Sequence, residues 1–146
     1  MQREANRYYG FTAQQTLDLV QTLYEKKLLT YPRTDSQFIT DDMEDTARQV
    51  ISIVCRQLPL FSGVSITPDL ARVTDNSKVT DHHAILPTVQ LEKQDVFALP
   101  QSEQKILNLV GMRLLWGREQ FHIQPKADVR GFCPPEWAAQ PYALYR

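Results

Sequence analysis

The sequence predicts a mainly α-helical fold: a small helical domain followed by an irregular C-terminal tail. Three segments repeat apolar residues at steps of three and four, and each opens on residues that start helices. The 146 residues, 42% hydrophobic and 23% charged, suit one domain with its own core. No internal repeat or low-complexity tract suggests another organisation.

The first helix is expected between Phe11 and Leu28. Thr12 and Gln15 have the spacing of a capping box, in which each side chain satisfies a free amide of the opening turn. Leu17, Val20, Tyr24 and Leu28 then share one stripe expected to be buried, with Asp18, Gln21, Glu25 and Lys26 mainly on the wet side. Pro32 lacks an amide hydrogen and biases Tyr31 toward extended backbone, so the helix is expected to stop before it, with Tyr31 in a loop or short strand.

Thr40 is the expected N-cap of a second helix. Asp41, Asp42 and Glu44 favour the positive end of its dipole, and Met43, Ala47, Val50, Ile51 and Val54 carry an apolar face to about Leu58. From Pro59 to Thr88 the Pro, Gly, Ser, Thr and Asp content predicts loop, with a short helix from Pro68 to Val73; a loop of this length is more often functional than idle. Pro100, Ser102 and Glu103 begin a third helix, continued by Ile106, Leu107, Leu109, Val110 and Leu114 to about Trp116. Beyond Gly117, prolines at 125, 134, 135 and 141 interrupt every period, and residues 118–146 are read as an irregular tail of unassigned role.

Sixteen Lys and Arg against seventeen Asp and Glu leave a formal charge of -1. That excludes a strongly basic nucleic-acid binder or an acidic tail as a description of the whole chain, and leaves a local patch open. The longest apolar run, near Val50 to Cys55, is too short to span a membrane, and Met1-Gln2-Arg3-Glu4 lacks the apolar core of a signal peptide, so a cytoplasmic location is expected. Cys55 and Cys133, with no CxxC or Cys/His cluster, are read as free thiols rather than a disulfide or a zinc site.

Two stretches concentrate chemistry. In Leu29-Thr30-Tyr31-Pro32-Arg33-Thr34-Asp35-Ser36, the bland reading is a helix-terminating turn with Tyr31 as a packing aromatic and Asp35 or Ser36 as a local cap. The functional one begins from the phenol, a poor nucleophile near pH 7 that needs a neighbouring cation. Arg33 is permanently charged, and its planar fork can grip two oxygens of a phosphate. Residues two apart in extended backbone point the same way, so Tyr31 and Arg33 can face one phosphate together. In Ser77-Lys78-Val79-Thr80-Asp81-His82-His83-Ala84-Ile85-Leu86-Pro87-Thr88, adjacent histidines diverge, and at most one is expected to reach a shared centre. Asp81 could hold a histidine that acts as cation or proton donor beside a phosphodiester; a loop or buried histidine is the alternative.

These two stretches, with Met1-Gln2-Arg3-Glu4-Ala5-Asn6, Phe11-Thr12-Ala13 and Thr16-Leu17-x-Leu19-x-Gln21-x-Leu23-Tyr24-Glu25, closely resemble the catalytic-tyrosine region of type IA DNA topoisomerases. The Asp81-His82-His83-Ala84-Ile85 form is similar to the topoisomerase III branch. The resemblance covers about residues 1–116, in the family's motif order. It implies that Tyr31 is the nucleophile that forms a 5′-phosphotyrosine link with single-stranded DNA, later resealed by the free 3′-hydroxyl after strand passage. It further implies that Arg33 positions the scissile phosphate and that His82 contacts the same region. Thr34, Asp35 and Ser36 belong to the same motif as loop support. Thr34 and Ser36 join Arg3, Gln21 and Lys78 as candidate DNA-binding residues, although such charges often form only a solvated face.

The resemblance also implies a small, mainly helical domain with a helix-turn-helix-like core over residues 1–117, docking on the other domains of the parent enzyme. In the family, Mg²⁺ is held by an acidic cluster in a separate domain. No such pattern is visible here, and Asp41-Asp42-Met43-Glu44 is explained by its helix start. The chain is therefore expected to be a piece of a longer enzyme, to hold no metal itself and to be inactive alone, with neither a membrane nor a small molecule as partner. The alternative is a non-catalytic, helix-turn-helix-like DNA-binding or regulatory module derived from such an enzyme.

Overall fold

The computed structural model describes residues 1–61 and 70–116. The expected tail at 118–146, with Cys133, lies outside the described residues. Among those described, the fold is mainly helical, as expected, with four α-helices and no strand: α1 (Gln2–Tyr9), α2 (Ala13–Glu25), α3 (Glu44–Gln57) and α4 (Gln101–Trp116).

Helix α1 was not among the expected helices. Its apolar side is short, Met1, Ala5, Tyr8 and Tyr9 at steps of four, three and one, and of these only Ala5 is fully buried while the others pack half-buried on the core. The visible sign is at its end, where Gly10 adopts the left-handed conformation (φ 69°) that suits glycine and closes the helix with bonds to Ala5 and Asn6 carbonyls. Asn6 Nδ2 then donates to the Phe11 carbonyl at 3.0 Å. Thr12 starts α2 two residues after Gly10, which gives a helix, a short turn and a helix.

The capping box of α2 forms in both directions: Gln15 N–H donates to Thr12 Oγ1 at 3.1 Å, and Thr12 N–H to Gln15 Oε1 at 2.9 Å. The far end differs from expectation. The helix stops before Pro32, as expected, but already at Glu25 rather than near Leu28, where Lys27 takes a left-handed conformation (φ 61°). Leu28 is buried beyond the helix. The buried stripe is Thr16, Val20 and Leu23, whereas Tyr24 is 37% exposed and Leu17 only half-buried.

Helix α3 follows its expected course. It enters through a 3₁₀ turn at Asp41–Met43, and the Thr40 side chain makes no capping bond. Ala47, Val50, Ile51, Ile53 and Val54 form its buried face. Cys55 is a free, half-buried cysteine, and burial pushes its thiol upward, away from the reactive thiolate. The loop that follows is more structured than expected. Leu60 and Phe61 are buried in a 3₁₀ turn, further turns stand at Asn76–Lys78, Val89–Lys93 and Val96–Ala98, and the expected Pro68–Val73 helix is represented by one turn at Leu70–Arg72. Pro100 caps α4 from outside, its carbonyl accepting from Glu103 and Gln104 amides at 3.0 Å each.

One apolar cluster joins these parts, from Ala5 of α1 through Val20 and Leu23 of α2 and the face of α3 to Ile106, Leu107, Leu109 and Val110 of α4. A second link is polar. Lys26 Nζ reaches both carboxylate oxygens of Glu103, 77 residues away, at 2.9 and 2.7 Å, and so ties the end of α2 to the first turn of α4. No described helix is long and apolar enough to cross a membrane.

Candidate active site

The chain leaves α2 at Lys26, and from Leu28 to Ile39 it runs beside the segment from Val73 to Thr88. Thr30 N–H donates to the Leu86 carbonyl (2.9 Å) and Thr88 N–H to that of Leu28 (3.0 Å), around an antiparallel bridge of Leu29 with Pro87. At the far end, Ile39 exchanges bonds with Val73 (2.8 Å) and Asp75 (3.0 Å). The two stretches singled out in the sequence are thereby stitched together along their lengths.

Side-chain hydroxyls supply the inner stitches. Thr30 Oγ1 accepts from Leu86 N–H at 2.9 Å and lies 3.4 Å from the Ala84 carbonyl. Thr34 donates its hydroxyl to the His82 carbonyl at 2.9 Å and accepts from Ser36 N–H at 3.1 Å. Ser36 donates to the Lys78 carbonyl at 3.0 Å. Thr88 Oγ1 bonds the Lys27 carbonyl. Short hydroxyl side chains that bond backbone groups fix loops that carry no ladder of their own.

Exposure alternates along this stretch. Tyr31, Arg33, Asp35 and Gln37 are exposed, while Pro32, Thr34, Ser36 and Phe38 are buried or half-buried. That alternation is the two-residue period expected of Tyr31 and Arg33 in extended backbone. Tyr31 is 36% exposed. Its ring lies against that of His82, with centroids 4.3 Å apart and planes inclined by 38°. On its other contact Tyr24 meets it edge to face, at 5.5 Å and 83°. Among the described residues, no hydrogen bond holds the Tyr31 hydroxyl and no acidic group pairs with Arg33.

The histidines divide as expected, one toward Tyr31 and one away. His83 places Nδ1 2.7 Å from the Ala84 carbonyl, so this nitrogen carries the hydrogen. The brace expected from Asp81 is absent: Asp81 is exposed, and among the described residues its carboxylate bonds neither histidine. A Thr34 hydroxyl on the His82 backbone holds that residue instead.

The remaining candidates do not converge on Tyr31 through their side chains. Lys78 Nζ pairs with Asp75 Oδ2 at 2.8 Å and stands 4.5 Å from the centre of the Phe38 ring. Gln21 Nε2 donates to Glu25 at 3.0 Å along α2. Arg3 is exposed on α1. A shallow cleft of about 240 Å³ opens beside the Tyr31 segment, lined by Asp35, Ser36, Phe38, Lys78 and Thr80 among others. Sequence reasoning missed Tyr24, assigned to the buried stripe, and Thr30, whose only signal was a hydroxyl adjacent to Tyr31. No group of three His, Cys, Asp or Glu side chains among the described residues could hold a metal ion.

The site thus sets an exposed tyrosine against a histidine, with an arginine on the same exposed side, and comparison with known proteins supplies the family. The family model for DNA topoisomerase matches residues 1–121, and the chain belongs to that family. Within it the chain is similar to proteins named topoisomerase 3. It is 38% identical over 120 residues to "DNA topoisomerase 3" of Staphylococcus saprophyticus, covering 79% of this chain and 17% of that protein. The same-named protein of Bacillus thuringiensis is 41% identical over 120 residues (79% of this chain, 16% of the relative), and that of Staphylococcus haemolyticus 39% over 121 residues (79% and 17%). The chain thus spans about one sixth of the length of these relatives.

Proposed function

We propose that residues 1–117 form the tyrosine-bearing part of a type IA topoisomerase active site, with single-stranded DNA as substrate and Tyr31 as nucleophile. The observation that carries this reading is the exposed Tyr31 ring packed on His82 at 4.3 Å, in a loop whose alternation puts Arg33 on the same side. The Tyr31 oxygen bonds to phosphorus as the bond to the 3′ oxygen breaks. The phenol gives up its proton and the departing 3′ oxygen gains one, so the step is balanced and reverses without an external energy source. Arg33 grips the non-bridging oxygens and stabilises the charge that develops on them. His82, beside the phenol, supplies a cation or a proton at the same phosphate.

Among the described residues no group of three His, Cys, Asp or Glu side chains could hold Mg²⁺, and in this reading the metal of the whole enzyme is held by its other domains. Those remaining domains are the chain's protein partners, and its location is the cytoplasm, at the nucleoid. Alone, the chain is inactive in strand passage. Arg3, Gln21, Thr34, Ser36 and Lys78 serve DNA indirectly in this reading. Thr34 and Ser36 shape the loop, and the others lie along surfaces where a backbone could pass.

The test is a covalent trap. The chain is incubated with an end-labelled single-stranded oligonucleotide and Mg²⁺, alone and with the remaining domains of the Bacillus relative added in trans, then denatured. A protein–DNA adduct is expected only with both parts present, and it should vanish in Tyr31→Phe. An adduct that survives Tyr31→Phe, or none with both parts present, sinks the assignment.

A further inference from the structure

Tyr24 departs from its own pattern. Its spacing from Val20 and Leu28 puts it on an apolar stripe, yet it is 37% exposed, and its ring is turned to that of Tyr31. The contact is edge to face, the arrangement that aromatic quadrupoles favour. It also joins two kinds of support. Tyr24 stands on the last turn of α2, a helix held by its capping box at one end and by the Lys26–Glu103 pair at the other. His82, the second ring on Tyr31, stands on a loop fastened through the Thr34 hydroxyl.

Among the described residues the Tyr31 hydroxyl has no hydrogen bond, so its ring is aimed by ring contacts alone. A half-exposed tyrosine with two free side-chain torsions samples several rotamers unless its neighbours exclude them. In-line attack on phosphorus tolerates little of that, since small errors in placement are costly in rate.

We propose that Tyr24 is a positioning residue for Tyr31: its ring confines the Tyr31 ring against that of His82 and so aims the phenol at the phosphate. This rests on the reading of Tyr31 as nucleophile. Tyr24 itself touches no reacting atom. The ring is what matters, and its hydroxyl is dispensable.

The experiment compares Tyr24→Phe, which keeps the ring, with Tyr24→Leu, which removes it, in the full 146-residue chain. Proton NMR with ring-labelled tyrosine and histidine reads the cross-peaks between the Tyr31 and His82 rings, and the trans adduct assay reads function. Tyr24→Phe should keep both at the level of the unsubstituted chain. Tyr24→Leu should weaken the cross-peaks and slow adduct formation roughly 2- to 12-fold, the weight of one aromatic pair, with oligonucleotide affinity unchanged. Unchanged cross-peaks and adduct rate in Tyr24→Leu overturn the proposal, as does an equal loss in both variants, which would assign the effect to the hydroxyl. Should Tyr24→Leu lose its amide spectrum, the unsubstituted chain decides: missing Tyr24–Tyr31 cross-peaks overturn the contact, and their presence with retention in Tyr24→Phe supports it. The two readings fail separately. An adduct absent from the unsubstituted chain, or surviving in Tyr31→Phe, strikes the nucleophile, whereas an inert Tyr24→Leu strikes Tyr24 alone.

Discussion

Asp75 shows how much local order one half-buried carboxylate can create. It accepts from Ser77 N–H (3.1 Å), Ser77 Oγ (2.6 Å) and Lys78 Nζ (2.8 Å), and so closes the turn whose Lys78 carbonyl receives the Ser36 hydroxyl. The Lys78 bond above all, and the Ser77 hydroxyl after it, hold the Asp75 carboxyl below the usual carboxylate range. A carboxyl depressed on folding contributes stability that is complete above its unfolded value and is lost as the pH falls through the folded one. Asp75→Asn keeps an acceptor for Ser77 and loses the ion pair. Its urea midpoint should therefore fall below that of the parent chain at neutral pH, and the gap should close as the pH drops through and below the carboxylate range. A gap that widens toward acid would refute the linkage. Asp41, Asp42 and Glu44, in contrast, remain what the sequence made of them, charges at a helix start.

At the scale of elements, Gly111 lets α4 pack tightly against the end of α3 and the turn that follows it. A Cβ added there would lie 2.9 Å from Leu58 Cδ1, 3.1 Å from Phe61 Cε2 and 3.2 Å from Val54 Cγ1. All three neighbours are fully buried, so none has room to withdraw. Gly111→Ala would gain about 1 kcal/mol in helix propensity, against about 1–3 kcal/mol for overpacking a tight core. Packing wins, and the variant should unfold at lower urea with an unchanged m-value; a raised midpoint would show that the helices can part. Helices α2, α3 and α4 were legible because their apolar residues recur over three turns or more and the residues ahead of them favour helix starts, although only α2 forms its cap through a side chain. Helix α1 was missed because its apolar side, Met1, Ala5, Tyr8 and Tyr9, spans only two turns and rests on amphipathic tyrosines rather than aliphatic residues. The end of α2 was misplaced for a related reason: Lys27 in a left-handed conformation is set by the turn that brings Leu28 and Leu29 into the core, and a lysine does not advertise it.

Across the whole molecule, the Lys26–Glu103 pair fastens the base of the Tyr31 loop to α4, and its two halves are not equivalent. The Glu103 side chain is 7% exposed and that of Lys26 39%. Removing Glu103 returns a half-solvated ammonium to water, whereas removing Lys26 strands a buried carboxylate. Lys26→Ala should therefore cost more stability than Glu103→Ala, roughly 1–2 kcal/mol after discounting a buried-pair penalty for the exposure of Lys26. Chemical denaturation of both variants checks the order, and a larger loss in Glu103→Ala would place the weight on the helix dipole instead. The same long-range logic governs the site. Tyr31, Arg33 and His82 could be chosen from sequence because motif chemistry is local: a phenol two residues from a guanidinium, and histidines in a distinctive run. Their family resemblance was legible for the same reason. Which histidine meets Tyr31, what holds it once Asp81 does not, and that Lys78 and Gln21 spend their polar groups on Asp75 and Glu25, follow from contacts between segments about 40 to 50 residues apart and from side-chain geometry within turns. The sequence by itself determined the helical class, the capping of α2 and the family that the motifs resemble, because these depend on residues and spacing along the chain. The tertiary structure alone decided the Tyr24–Tyr31–His82 stack and the polar clamp beneath it, because ring packing and ion pairing depend on distances in space that no local period encodes.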